Sequence, residues 1–327
     1  MPNPLKKRVL KILAIGLLTL VLGIGALIGS AVGYLKLPTL GGLPVTTTLT
    51  ADPNRLQMHV LRLAQDYSPR DYLHVENLDR SAEYIKELFL QAGGRVVEQV
   101  YVARERKYRN VIATFGPEAG ALIVVGAHYD AYREWPGADD NASGVAGLLE
   151  LARLLGLAHL DHPVQLAAFS TEEPPFYDTD RMGSAVHAQS LRARGIEIKG
   201  MICLEMIGYY SDVQHYPDEI LKWLYPEKGN FIAVIGRWED RKLIRWLKRG
   251  FKREGGLPVQ SVTMPIENSD HLNYWRQGYR AVMVTDTAWA RNPNYHTARD
   301  RPETLDYQRM AGVVEGVLLA LVNAGRL

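Results

Sequence analysis

Ala121–Ala127 (ALIVVGA) is apolar at odd and even positions alike. A strand with that pattern has to be covered on both faces, which excludes a half-solvated antiparallel sheet for this part of the chain. Val164–Ser170 (VQLAAFS), Gly200–Ile207 (GMICLEMI) and Ala281–Thr285 (AVMVT) read the same way. Between these runs lie stripes at helical spacing: Val145, Leu148, Leu149, Ala152 and Leu155; Leu243, Trp246, Leu247 and Phe251; Met310, Val313, Val317 and Leu321. Further strands are expected at 96–102, 110–115, 231–236 and 259–265, and further helices near 53–65, before Gly93-Gly94, and near 183–194. Strands alternating with helices predict an α/β fold: a single domain whose mostly parallel mixed sheet is sandwiched by helices.

In such sheets ligands bind beyond the carboxyl ends of the strands. The polar clusters of this chain fall there. His128 and Asp130 follow the 121–127 run, with Asp139, Asp140 and Asn141 close behind. Glu172-Glu173 follow the second run, Glu205 sits near the end of the third, and Asp286 to His296 follow the fourth. His128 and Asp130, two apart at a strand end, point to one side and suit a metal ligand and its orienting partner. Taken alone, that stretch is also readable as a surface loop of acids. A rim with His128, Asp140, Glu173, Glu205 and His296 offers imidazole and carboxylate but no thiolate, a donor set for Zn²⁺, Mn²⁺ or Co²⁺. Five ligands exceed one tetrahedral site and would serve two ions sharing a carboxylate. Of the adjacent pair Glu172-Glu173, one can ligate while the other takes a proton.

The N-terminus carries a second constraint. Ile12–Val32 contains no charged residue and follows the basic triplet Lys6-Lys7-Arg8. About 20 such residues span a bilayer as a helix, and a basic flank stays in the cytoplasm. Residues 1–35 therefore read as a cytoplasmic stub and transmembrane signal anchor, 36–51 as a Pro-, Gly- and Thr-rich linker or extended arm, and 52–327 as the extracytoplasmic domain. The alternative is a cleaved signal peptide and secretion, with Ser30-Ala31-Val32-Gly33 as small residues for cleavage. The formal net charge of +2 gives no reason to expect nucleic acid as a partner. Cys203 is the only cysteine, which excludes an intrachain disulfide and any multi-cysteine zinc site. It is expected in the core.

The motifs HYD, GADDNASG, STEE, LEMIG, SDH and NPNYHTARD, in this order, resemble the M28 family of zinc peptidases over roughly Leu78–Leu327. The resemblance implies the zinc exopeptidase fold and one or two Zn²⁺ ions. It matches His128, Asp140, Glu173, Glu205 and His296 to the metal ligands, with Asp140 as the bridge. Glu205 stands where similar members usually have Asp. Glu172 matches the general base and Asp130 the acid behind the first histidine. A cis peptide between Asp140 and Asn141 is implied as well. Asp270 and His271 are expected near the site in a supporting role. Tyr295 is read as a hydrogen-bond donor to the tetrahedral oxyanion, with ring packing as the alternative. His59, His74, His159, His162, His187 and His215 are read as structural or solvated. The function this implies is a membrane-anchored aminopeptidase acting on peptides with a free N-terminus. Three alternatives stand beside it: a glutaminyl cyclase, a carboxypeptidase using Arg133, Arg181, Arg291 or Arg299, and a non-catalytic binding domain. Tyr209-Tyr210 and Tyr132–Pro136 are candidates for the pocket wall.

Overall fold

The computed structural model describes residues 4–327; residues 1–3 of the basic stub lie outside the described residues, as do the side chains of Lys6 and Lys7. The first helix, α1 (Pro4–Lys36), carries the apolar segment, and none of the stretch from Leu10 that could cross a membrane is buried in the protein.

Eight strands form one sheet: β1 (Arg95–Ala103), β2 (Arg106–Phe115), β3 (Leu122–His128), β4 (Val164–Phe169), β5 (Ile198–Leu204), β6 (Ile232–Gly236), β7 (Val259–Thr263) and β8 (Ala281–Thr285). Their order is β1-β2-β4-β3-β5-β8-β6-β7. The four central strands, β4, β3, β5 and β8, run parallel, so their carboxyl ends share one edge. β1 and β2 form an antiparallel hairpin at one margin, and β6 and β7 close the other, with β6 antiparallel to β8. The β1–β2 loop is only Arg104-Glu105, both at positive φ, which matches the twist of its strands.

The expected two-sided burial is present. Ile123, Val125 and Ala127 of β3 enter one core, with α2 (Pro53–Leu61), α3 (Val75–Gln91), α4 (Gly144–Leu155), α7 (Arg241–Phe251) and α9 (Tyr307–Leu321) over it. Leu122 and Val124 enter the other, covered by α5 (Gly183–Ala193) and by α8 (His271–Arg276), with Cys203 inside as expected. Gly126 is required on β3, because a Cβ there would lie 2.3 Å from the Phe169 ring. α6 (Glu219–Leu224) and α8 are single short helices that periodicity did not announce.

Residues 37–52 do run extended, but they are not a free tether. Leu37 and Leu43 are buried in the first core. Lys248, on α7, donates through Nζ to the carbonyls of Lys36 (2.9 Å) and Leu37 (3.0 Å) and to Ser261 Oγ (2.8 Å). Leu43 N donates to Arg249 O, Asn323 Nδ2 to Pro44 O, and Asp52 N to Glu150 Oε1. The arm is stitched along the body by its own backbone.

Two of the histidines read as structural are core residues. His59 Nδ1 lies 2.7 Å from Tyr84 Oη, and His187 Nδ1 lies 2.6 Å from Tyr274 Oη. Burial lowers the pKa of His59 to about 4, helped by Arg55, and that of His187 to about 3, helped by Arg194. Both stay neutral in the folded chain while the unfolded chain takes up protons below about 6.5. Their contribution is therefore full above that pH and is lost progressively as the pH falls towards 3. His187→Phe removes one titration, so the urea midpoint is expected to fall less steeply between pH 6.5 and 4 than in the parent chain; an unchanged slope would show that His187 is not buried neutral.

Candidate metal centre

Each strand of the parallel centre delivers one part of the site. β3 ends on His128, followed by Asp130. β4 ends at Phe169, and Thr171, at a φ of 60°, turns the chain so that Glu172 and Glu173 follow. A β-branched residue is uncommon at such a φ. Thr171 is held there by its hydroxyl, which lies 2.8 Å from Tyr101 Oη and 2.7 Å from the Arg181 carbonyl. β5 ends at Leu204, so Glu205 stands just past the strand, and Met206 follows at positive φ. The loop after β8 brings in His296, itself at a φ of 51°. Positive-φ residues thus stand beside the Glu172-Glu173 pair and Glu205 and at His296 itself, the kind of backbone strain that functional sites accumulate.

Asp140 lies in the loop before α4, and its peptide bond to Asn141 is cis, as the resemblance implied. Asn141 ties this loop to β5: its Nδ2 donates to Leu204 O (2.9 Å), and its Oδ1 accepts from Met206 N (3.1 Å) and Gly144 N (3.0 Å). Gly144 permits that approach, since a Cβ there would lie 2.3 Å from Asn141 Oδ1 and 2.5 Å from Leu204 O.

Two groups of ligand atoms result, His128–Asp140–Glu205 and Asp140–Glu173–His296, with the atoms of each group within 4.8 Å of one another. Asp140 belongs to both. Its Oδ1 is 3.3 Å from His128 Nε2 and its Oδ2 is 3.0 Å from His296 Nε2. Glu205 Oε2 is 3.4 Å from His128 Nε2, and Glu173 Oε1 is 3.3 Å from His296 Nε2. The extra methylene of Glu205 is steered by Ser269, whose Oγ donates to Oε2 over 2.6 Å. Glu172 is in neither group, although its Oε2 lies 3.9 Å from His128 Nε2. Asp130 approaches His128 Nδ1 through its backbone carbonyl (3.2 Å) and its Oδ1 (3.5 Å). Its carboxylate also accepts from the amides of Glu172 (3.1 Å) and Glu173 (3.0 Å), fastening the β3 and β4 ends together.

The electrostatics are those of too much negative charge out of water. Burial pushes the Glu172 carboxyl well above its usual range, and Glu173 and Glu205 add to the push. Burial and Asp140 bring Glu173 up to about 8. Asp140 moves the other way: burial opposes its ionisation, but the two histidines outweigh that. Burial also disfavours a charged His128, yet Glu205, Glu172, Asp130 and Asp140 together raise it well above the ordinary imidazole value. Glu173 Oε1 is buried and makes no hydrogen bond, the His296 ring nitrogen 3.3 Å away being its close neighbour. Imidazole and carboxylate groups converging in pairs, with an orphaned carboxylate oxygen, fit divalent cations of the zinc class.

Several supports had no clear signal in the sequence. Asp300, the last residue of the quoted motif NPNYHTARD, accepts from the amides of Asp139 (2.8 Å) and Asp140 (3.1 Å). Asp139 faces away from the ligands and binds Gly208 N and Asn292 Nδ2. Arg70 is wholly buried and donates to the carbonyls of Leu63, Tyr129, Pro136 and Gly137, holding the approach to Asp140. His296 has a ring on each face: Tyr132 at 4.0 Å and Tyr295 at 3.9 Å, both nearly parallel to it. Ring packing of Tyr295 is thus present. Its hydroxyl is kept protonated by burial and by Asp140, and the residue also lines the cavity. Asp270 is buried at the start of α8, and His271 points its Nε2 to Ile266 O, away from the ligand groups.

A cavity of about 450 Å³ opens over the two groups. Its polar wall includes Asp140, Glu172, Glu173 and Glu205; its apolar wall includes Leu221, Ile235, Val262 and Met283. No Lys or Arg is among its described lining residues. Arg291 is buried against Gln214 and Phe231, Arg133 lies over Tyr132 and Trp135, and Arg181 reaches Val102 O. Tyr209 and Tyr210 do not line the cavity, while His215, read as structural or solvated, does.

The family model for peptidase family M28 matches residues 110–321. The uncharacterised protein YfbL of Escherichia coli K12 is 46% identical over 88% of this chain and 93% of its own length. Leucine aminopeptidase 1 of Metarhizium robertsii is 27% identical over 72% of this chain and 60% of its own. Among solved structures, a zinc aminopeptidase of Bacillus subtilis superposes with a TM-score of 0.69 at 15% identity, covering 85% of this chain and 96% of that one. A glutaminyl cyclase of Porphyromonas gingivalis superposes with 0.65 at 20% identity, covering 84% and 99%. With the ordered motifs, the two ligand groups sharing Asp140 and the helix-sandwiched sheet, these likenesses establish that the chain belongs to peptidase family M28.

Proposed function

We propose that the chain is a zinc-dependent aminopeptidase, anchored in the membrane by α1 with its catalytic body on the extracytoplasmic side. The observation that carries this reading is the cavity itself: it opens on two ligand groups that share Asp140, with Glu172 beside them, and no Lys or Arg is among its described lining residues. Such a lining offers no side-chain cation to a terminal carboxylate, which argues against a carboxypeptidase. The named likeness to a leucine aminopeptidase and the apolar wall point the same way, to substrates with an apolar N-terminal residue. Two ligand groups joined through Asp140 favour hydrolysis over the cyclase alternative, which needs one ion.

His128, Asp140 and Glu205 would hold one ion, and Asp140, Glu173 and His296 the other. Bound there, zinc supplies Lewis acidity, lowering the pKa of water and polarising the scissile carbonyl. Glu172, outside both groups and with its pKa raised by burial, takes the proton of the attacking water and passes it to the leaving amine as the C–N bond breaks. Tyr295 donates its hydroxyl hydrogen to the carbonyl oxygen as charge develops there. Asp130 positions His128 and both glutamates.

Leucine p-nitroanilide is expected to be cleaved by the full chain in a chelator-sensitive way, and N-acetyl-leucine p-nitroanilide not. A glutaminyl peptide yielding pyroglutamate, with no amino acid released from any substrate, would overturn the reading. Glu172→Gln is expected to lower kcat by about 10²–10⁴ with metal content unchanged; undiminished hydrolysis by the metal-loaded variant would show that Glu172 is not the base. Metal analysis is expected to find about two ions per chain, about one in Glu205→Ala, and fewer than one in Asp140→Ala. Loss of a single ion from Asp140→Ala would contradict the shared bridge.

A further inference from the structure

The short helix α6 lies beside the end of α1. Lys36, the last residue of α1, donates from Nζ to the Leu224 carbonyl (2.7 Å) and sits 5.3 Å from the Tyr225 ring centre. Two residues earlier, Tyr34 stacks on Trp238 at 4.6 Å. With the Lys248 clamp on the carbonyls of Lys36 and Leu37, these contacts fix the level at which the apolar helix leaves the body. That level carries an unusual surface. α6 buries none of its residues, and it turns Ile220 (69% exposed) and Trp223 (76% exposed) outward. Its charges, Glu219 and Lys222, face each other at 3.6 Å. On its other side Leu221 lines the cavity above the ligand groups, together with Asp218 and Tyr225.

Ile220 and Trp223 put an exposed apolar pair on one short helix, next to the level where α1 leaves the body. Aromatic residues level with the end of a membrane-spanning helix belong to the headgroup zone, where an indole is half buried and half wet. We propose that the outer face of α6 seats on the bilayer surface, with Ile220 and Trp223 as the residues that enter it and Trp238 and Tyr34 in the same belt. The occupant of this face is lipid, because the one element continuous with it is the helix that enters lipid. A wall of the substrate cavity then rests on the membrane. This inference depends on the anchor reading of α1 and not on the chemistry of the site.

The test uses the full chain in phosphatidylcholine nanodiscs. Trp223→Cys is labelled with bimane, the native Cys203 being buried. Val100→Cys, on β1 at the opposite margin of the sheet and 60% exposed, is the control. Seven strand spacings separate β1 from β7, roughly 34 Å. Headgroup-nitroxide lipid is expected to lower the fluorescence at 223 about twofold relative to 100, and aqueous iodide to act more strongly at 100 than at 223. Equal lipid quenching at the two positions overturns the proposal. A label at 223 shielded from both lipid nitroxide and iodide also overturns it, since a protein partner then covers the face. Intact mass of the chain extracted from cell membranes tests the anchor separately. A mass lacking residues 1–33 overturns the anchor and the seat together, whereas the full mass with equal quenching overturns the seat alone.

Discussion

Five carboxylates, Asp130, Asp140, Glu172, Glu173 and Glu205, are each less than 8% exposed and lie at one rim. Like charges so placed cannot all ionise without compensation, because the low dielectric that excludes water also strengthens their repulsion. The surroundings compensate piece by piece. Amides of Glu172 and Glu173 go to Asp130, a serine hydroxyl goes to Glu205, and two imidazoles face the two oxygens of Asp140. Arg70, a buried guanidinium bonded only to carbonyls, adds a positive charge at a distance, and burial draws even its pKa down to about 10. What remains unbalanced at the two ligand groups is the charge that divalent cations supply.

The same tension reaches outward through the fold. Asp300 holds the amides of Asp139 and Asp140, and burial with Asp139 raises it to about 8. Asp286 supports Tyr209 N and Ala288 N while burial and Asp139 push its carboxyl well up. The loops that carry ligands are thus tied by acids held against their preference for water. This makes the rim a preorganised negative surface that a cation completes.

Much of this was legible because it is periodic or local. Two-faced apolar runs marked β3, β4, β5 and β8, and the clusters after them fell on one edge because parallel strands end together. Ala281–Thr285 was located to the residue. The six residues of α6 were not, since so short a helix has no period to detect. Nor was Arg70, whose partners are carbonyls as far away as Gly137 and carry no side-chain signature. Ser269 and Asp300 stood inside recognised motifs, yet their bonds to Glu205 and to the Asp140 loop depend on strand order, which spacing does not reveal. The exact contacts of Glu205 were equally hidden, because they turn on where Ser269 arrives from another element.

The stitched arm of residues 37–52 changes where a soluble version of this protein should begin. Chain cut just before Asp52 would strip Leu37 and Leu43 from the core and leave the Lys248 ammonium, already lowered to about 8 by burial, without its two carbonyls. A boundary near Tyr34 keeps those seams closed. Proteolysis at the small residues 30–33 would leave the arm attached too, so shedding the greasy helix and dismantling the body are separate events.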